Sequence, residues 1–284
     1  LPVASREKAV TARWTPARLR GIPGRVLLYG AAGIALLFLT LPLLALVLRA
    51  LDNPLTSAVS LDAISSAIWL SFATTLITLV LTIAFGTPLA YLLARHQFRF
   101  KRLVIVLVEL PVVLPPAVAG LALLMAFGRR GLLGAPLADA GVTITFTAAA
   151  VIMAQTFVAA PFFLRAAITA FEGVSRDLED AGRVDGAGGI TLFRYVTLPL
   201  AFRGMFAGLM LSWARALGEF GATILFAGSL QGRTQTMPLL IYNILERDLN
   251  AAIWTGLLLV GLALVALLVS QALTRSAHDA PVAS

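Results

Sequence analysis

Six long apolar runs, at residues 26–48, 64–94, 103–127, 144–170, 202–226 and 251–273, constrain this chain more than any other feature. A helix rises about 1.5 Å per residue, so about 20 apolar residues cross the hydrocarbon core of a bilayer. Inside hydrocarbon the protein itself must satisfy every backbone donor and acceptor, which leaves only helices and closed barrels. The runs lack the every-second-residue alternation of a barrel strand. The expected fold is therefore an all-α membrane protein with six transmembrane helices. Run 64–94 exceeds a straight crossing, so it is expected to tilt or to project from the bilayer. Composition leads to the same class: 59% of residues are apolar and 13% charged, against about 45–50% and about 25% in soluble domains.

Basic residues set the expected orientation. Counting Arg165 and Arg203, which fall within the ends of their runs, 16 Lys and Arg lie toward one side of the six-span arrangement and five toward the other, and such a bias marks the cytoplasmic side. That side then holds both termini, as a basic segment at 1–25 and a tail at 274–284, with the membrane domain at 26–273 between them. Run 26–48 is long enough to span and no small-residue cleavage site follows it, so it is read as an uncleaved first span. The net charge of +8 flanks the apolar runs rather than forming a patch, which argues against nucleic acid as a partner. The chain has no cysteine, and His96 and His278 lack a second ligand at metal-motif spacing, so both are expected on the surface. There is no phosphate-binding G-x-x-x-x-G-K-[ST] loop and no nucleophile–base–acid set. Neither catalysis nor a bound cofactor or metal is expected.

The longest polar interval lies at 177–200. Ser175 ahead of Asp177 and Glu179 is an N-cap followed by acids in a first helical turn. Gly186, Gly188 and Gly189 are expected to end that helix and turn the chain. A second short helix over 191–196 would then run to Pro199, giving a helical hairpin at the inner membrane face within a loop at 171–200. Prolines also interrupt the apolar runs. Run 103–127 carries Pro111, Pro115 and Pro116, which remove backbone donors and clash with the preceding turn; Pro88 and Pro161 are milder kinks. Broken helices at membrane depth persist where protein or a water-filled cavity serves the freed groups. In run 202–226, Arg215 and Glu219 stand four apart, on one helical face. Each charge costs about 2.5–3.5 kcal/mol at mid-membrane on insertion scales, so both must face protein or a cavity. Two readings are open: a pair that neutralises itself at an interface, or an arginine lining an anion path with Glu219 fixing it. Gly218 and Gly221 are expected to admit a closely packed helix.

Asp180-Ala181-Gly182, three residues, Gly186, nine residues and Val196-Thr197-Leu198-Pro199 together resemble the cytoplasmic loop of ABC importer permeases, written E-A-A-x3-G-x9-I-x-L-P. With LPPAVAGLALLMAFGRRGLLG, ARALGEFGATILFAG and RTQTMPLLIY, the chain is similar over about residues 61–270 to the oxyanion group of these permeases, molybdate first and sulfate or thiosulfate second. The resemblance implies a type I importer permease of a bacterial or archaeal cytoplasmic membrane. It implies a second copy of the chain around a central oxyanion path, two ATP-binding cassette subunits inside, a solute-binding protein outside, and surrounding lipid. It implies that Glu179, Asp180, Ala181, Gly182, Gly186 and Pro199 couple to the ATPase subunit, to which ATP hydrolysis belongs. It also implies that Arg215, Glu219, Pro115 and Pro116 belong to the path or its gate. Asp for Glu at 180, Gly for Ala at 182 and Asp185 at a usually apolar position depart from the pattern. They are expected to weaken coupling, Gly182 by loosening its helix by about 1 kcal/mol. Tungstate, nearly identical to molybdate in size and charge, is not separated at this level. An ion-coupled secondary transporter, the alternative from another class, also carries broken helices and buried charges but has no use for such a hairpin.

Overall fold

A computed structural model describes residues 22–53 and 60–276; the basic segment before residue 22 and the tail after residue 276, with His278, lie outside the described residues. In order the chain forms α1 (Ile22–Asp52), α2 (Leu61–Arg95), α3 (Lys101–Val113), α4 (Pro116–Phe127), α5 (Gly134–Asp139), α6 (Ala148–Glu172), α7 (Arg176–Val184) and α8 (Gly189–Leu192). A π-helical turn (Phe193–Thr197), α9 (Leu198–Leu217), α10 (Gly221–Phe226), α11 (Met237–Leu245) and α12 (Leu249–Ser276) complete it. No strand occurs among the described residues.

The chain divides into two units, α1 in one and everything from α2 onward in the other. Leu27, Tyr29, Phe38 and Leu43 are all exposed on α1. A helix that is apolar on every side needs lipid or another chain as its solvent.

The second unit is built on α6, which packs against both α2 and α9. Small residues bring these backbones together. A Cβ on Gly204 or Gly208 of α9 would run into the methyl groups of Ala170 and Ala166 of α6, the close approach that small residues permit between membrane helices. The buried stripe of α2 is made of Ser71, Thr74, Thr75, Thr78 and Thr82, which recur at helical spacing. Thr74 and Thr75 donate to the carbonyls of Leu70 (2.8 Å) and Ser71 (2.7 Å), and Thr78 reaches Gln155 Oε1 of α6 at 3.2 Å. A core of small and hydroxyl side chains gives close packing where no water is present to drive burial.

Three apolar clusters follow. At the α7 end, Ala90, Ala94, Phe163, Ala167, Phe171 and Met205 join α2, α6 and α9. Ala119, Leu123, Val151, Ala154, Ala222 and Phe226 join α4, α6 and α10 further along. Ala63, Ala67, Met237 and Leu240 tie the start of α2 to α11.

Among the described residues, four helices are long and apolar enough to cross a membrane: Arg25–Asp52, Leu61–Arg95, Ala148–Glu172 and Gly189–Leu217. A fifth is counted if the bent pair of α3 and α4 is one span. The last expected run falls in α12, whose apolar stretch is Leu249–Val265. Run 103–127 is broken where its prolines fall, α3 and α4 meeting at 117° across Leu114 and Pro115, because Pro115 and Pro116 both lack the N–H that would continue α3; two other expectations change. Run 202–226 is not one helix either, since α9 stops at Leu217 and α10 starts at Gly221. The helix expected at 191–196 is not separate: α8 and the π-turn lead directly into α9, so Gly189–Leu217 is continuous. Pro199 lies inside that continuous helix, two residues after the π-turn, where its missing N–H leaves one bond of the helical ladder unmade. Pro88 and Pro161 remain inside unbroken helices.

Candidate coupling hairpin and helix-break site

The hairpin forms as its caps dictate. The Ser175 side chain accepts from the Asp177 N–H (3.2 Å), and Asp177 and Glu179 occupy the positive first turn of α7. At the other end, Gly186 N–H donates to the Arg183 carbonyl and Ala187 N–H to that of Gly182, both at 3.0 Å. With Gly186 at φ +87°, this is a Schellman closure, which requires the left-handed conformation glycine adopts without strain. Gly182 has a different use. A Cβ there would lie 2.6 Å from Leu192 Cδ2, so the glycine seats the apolar side chain of the returning helix.

The residues expected in the coupling element separate into two layers. Glu179 is buried and points into the protein. Its Oε1 accepts from Arg95 Nη2 (2.8 Å) at the end of α2 and from the Thr197 hydroxyl (2.7 Å) of the π-turn. Arg95 Nη2 also donates to the Val174 carbonyl at 3.1 Å. One carboxylate thus binds α2, α7 and the entry to α9 together. Beneath it Tyr91, Phe171 and Phe193 pack edge to face or tilted, with centroids 5.1–6.1 Å apart, geometry that adds to plain area burial. The outer layer is open: Asp180, Ala181, Gly186 and Pro199 are exposed, and Asp180 pairs only with Arg183 (2.6 Å).

The hairpin also exposes Leu178, Val184, Ile190 and Tyr195. Exposed apolar side chains on a charged element mark a surface suited to another protein or to the membrane. The sequence gives these four and Arg95 no role, and Thr197 stands in it only as a variable position of the Leu-Pro motif. The apolar four stand out as such within a polar interval; Arg95 gives no local signal.

The second constellation lies where the two broken runs meet. A Cβ on Gly221, at the start of α10, would lie 2.7 Å from Pro116 Cβ at the start of α4; one on Gly120 would meet the Ala222 backbone. Gly218 faces no neighbouring helix and instead ends α9. Glu219 lies in the break, almost fully buried. Its Oε1 accepts from the Ala222 N–H (2.7 Å), and its Oε2 lies 2.6 Å from Arg215 Nη2. The carboxylate therefore serves backbone donors freed by the break, while Arg215 neutralises it from the last turn of α9. The Arg215 side chain is 26% exposed and that of Glu219 1%. Pro115 and Pro116 are exposed beside this site. The geometry brings Pro116 and Glu219 together through α4 and α10, and the pair is both self-neutralising and open on the arginine side. Among the described residues no three His, Cys, Asp or Glu side chains are grouped to hold a metal.

Comparison with known proteins agrees with this architecture. The bacterial alginate ABC transporter, solved in complex with its alginate pentasaccharide-bound periplasmic protein, includes a chain that superposes with a TM-score of 0.72 at 16% identity, covering 91% of this chain and 98% of its own. The molybdenum transport system permease protein ModB of Mycobacterium tuberculosis is 41% identical over 251 residues, 87% of this chain and 93% of its own. ModB of Escherichia coli is 37% identical over 216 residues, 75% and 94% of the two chains. The sulfate transport system permease protein CysW of Synechococcus elongatus is 36% identical over 213 residues, 75% and 74%. The model of the binding-protein-dependent transport system inner membrane component family matches residues 86–278. This chain belongs to that family, the membrane-embedded permeases of ABC transporters.

Proposed function

We propose that the chain is the permease subunit of an ATP-driven importer for molybdate or the near-identical tungstate. The observation that carries the substrate is the likeness to molybdenum permeases, 41% identical across nearly the whole of both chains. Likeness to the sulfate permease is lower and covers less. In this reading two copies enclose the path, with six spans each in a domain at 26–273. The N-terminal basic segment, the tail at 274–284 and the hairpin face the cytoplasm, as the excess of basic residues on that side supports. A solute-binding protein delivers the oxyanion from outside, and two ATP-binding cassette subunits dock inside. ATP hydrolysis is theirs.

The hairpin supports a coupling role through its two layers. Asp180, Ala181 and Gly186, with Leu178, Val184 and Ile190, offer the docking surface. Glu179 and Thr197 tie that surface to α2 and α9, so displacement of the hairpin moves both helices. The layer holding Arg215, Glu219, Pro115 and Pro116 is then the part of the path that opens and closes. A ligand-driven switch requires different contacts in its two states, and the breaks after Val113 and Leu217 supply joints for them.

Uptake in cells lacking their own molybdate permease tests the substrate. Cells given this chain with its ATP-binding and solute-binding partners are expected to accumulate labelled molybdate, with excess tungstate competing and excess sulfate not. Competition by sulfate alone would transfer the reading to the sulfate group. Uptake that persists without the ATP-binding subunit would mean an ion-coupled transporter.

A further inference from the structure

A second charged pair, apart from Arg215 and Glu219, lies within the apolar helices. Arg165 of α6 donates through Nε to Glu109 Oε1 of α3 (3.0 Å), and its Nη2 lies 3.0 Å from the same oxygen. α6 ends at Glu172 and α3 begins at Lys101. At 1.5 Å per residue the pair sits about 10–12 Å in from the hairpin end of both helices and about 7–9 Å inside the ends of the apolar runs. Yet the side chains are 68% and 37% exposed. A charge at that depth turns to a bundle interior or a water-filled cavity, because lipid leaves it unsolvated. Ala166 and Ala170 face α9, whereas Arg165 and Thr169, one turn apart, make an open polar face. Of the five N–H donors of the guanidinium, those on Nε and one terminal nitrogen are spent on a single carboxylate oxygen. The others have no protein partner among the described residues.

We infer that Arg165, held in orientation by Glu109, is a contact site for the oxyanion on the hairpin-side half of the path. The inference rests on the oxyanion-permease reading above. A guanidinium fork matches two oxygens of a tetrahedral oxyanion. The adjoining carboxylate cancels most of its charge, so the anion is held by directed hydrogen bonds with little net attraction. Passage requires that balance, a site favourable enough to enter and weak enough to leave.

The test uses the full complex in proteoliposomes, with labelled molybdate supplied on its binding protein and ATP inside. Wild-type uptake is measured first; its absence would overturn the oxyanion reading and this site with it. Given uptake, Arg165→Gln is expected to lower the rate by about tenfold or more, the effect of losing a charged hydrogen-bond partner. Arg165→Lys, which keeps the charge but not the fork, is expected to fall between, and stands in if Arg165→Gln does not assemble. Glu109→Gln leaves the guanidinium unneutralised and is expected to slow release, so that molybdate stays longer on the purified complex. The double variant separates cargo contact from a helix staple. Two amides can still bond each other, so a staple would recover wild-type uptake, and that recovery would overturn the site. A double variant as slow as Arg165→Gln supports it.

Discussion

Two buried carboxylates, Glu179 and Glu219, organise the two ends of α9 in different ways. Glu179 reaches Arg95, 84 positions away, and Thr197, 18 positions away. Glu219 finds its partners within its own neighbourhood, an ion pair with Arg215 four residues before it and a hydrogen bond from the Ala222 N–H three residues after. In the first pair both side chains are nearly sealed, 8% and 7% exposed; in the second the arginine stays partly open. The contrast separates a long-range fastening, which makes the hairpin rigid with the helices above it, from a local fastening that shapes one joint. In the proposed coupling role, a motion entering at the hairpin is transmitted by the first and absorbed at the second.

Removing each carboxylate sharpens that contrast. Glu179→Ala leaves Arg95 buried without its counter-charge, a change that costs about 3–5 kcal/mol. The purified chain is expected to show a marked fall in unfolding midpoint, and the assembled complex to hydrolyse ATP without import. Glu179→Gln, which can still accept from Thr197, should recover part of the midpoint. Glu219→Ala removes the side-chain acceptor of the Ala222 N–H beside a partly open arginine, and about 1–3 kcal/mol is expected from the unsatisfied donor. Its signature is local: protection of the Ala222 amide against hydrogen exchange is lost while the hairpin amides keep theirs. Equal loss of protection at both places would erase the distinction between the two fastenings. Asp180→Ala gives the smallest change, because its exposed pair with Arg183 is worth at most about 1 kcal/mol. Its unfolding midpoint should match wild type, and any defect must appear as weaker binding of the ATP-binding subunit.

Much of this arrangement is legible in the residues. Ser175, Asp177 and Gly186 bound α7 by capping chemistry that acts within a few positions, and the prolines at 115 and 116 announce the break after α3. The missed features have a common origin. α9 ends at Leu217 inside a run that remains apolar to Phe226, so hydropathy passes over the break; Gly218 and the buried Glu219 are its only marks. Arg95 and Glu179 are too distant for spacing to pair them. Gly182, which as an isolated helical residue reads as a weakness, instead makes room for Leu192. Gly204 and Gly208 carry the small-x-x-x-small spacing of close membrane-helix packing, a signal present in the sequence and left unused.

In the proposed function this chain couples an oxyanion's arrival to ATP hydrolysis by partner subunits through the hairpin. The most direct measurement is the ATPase rate of the purified complex with molybdate-loaded, tungstate-loaded, sulfate-loaded and empty binding protein, for wild type and for Gly186→Trp. The account predicts stimulation by the molybdate- and tungstate-loaded forms, and hydrolysis uncoupled from import in the variant, whose bulky side chain disfavours the left-handed turn. Stimulation by sulfate alone, or unchanged coupling in Gly186→Trp, would contradict it.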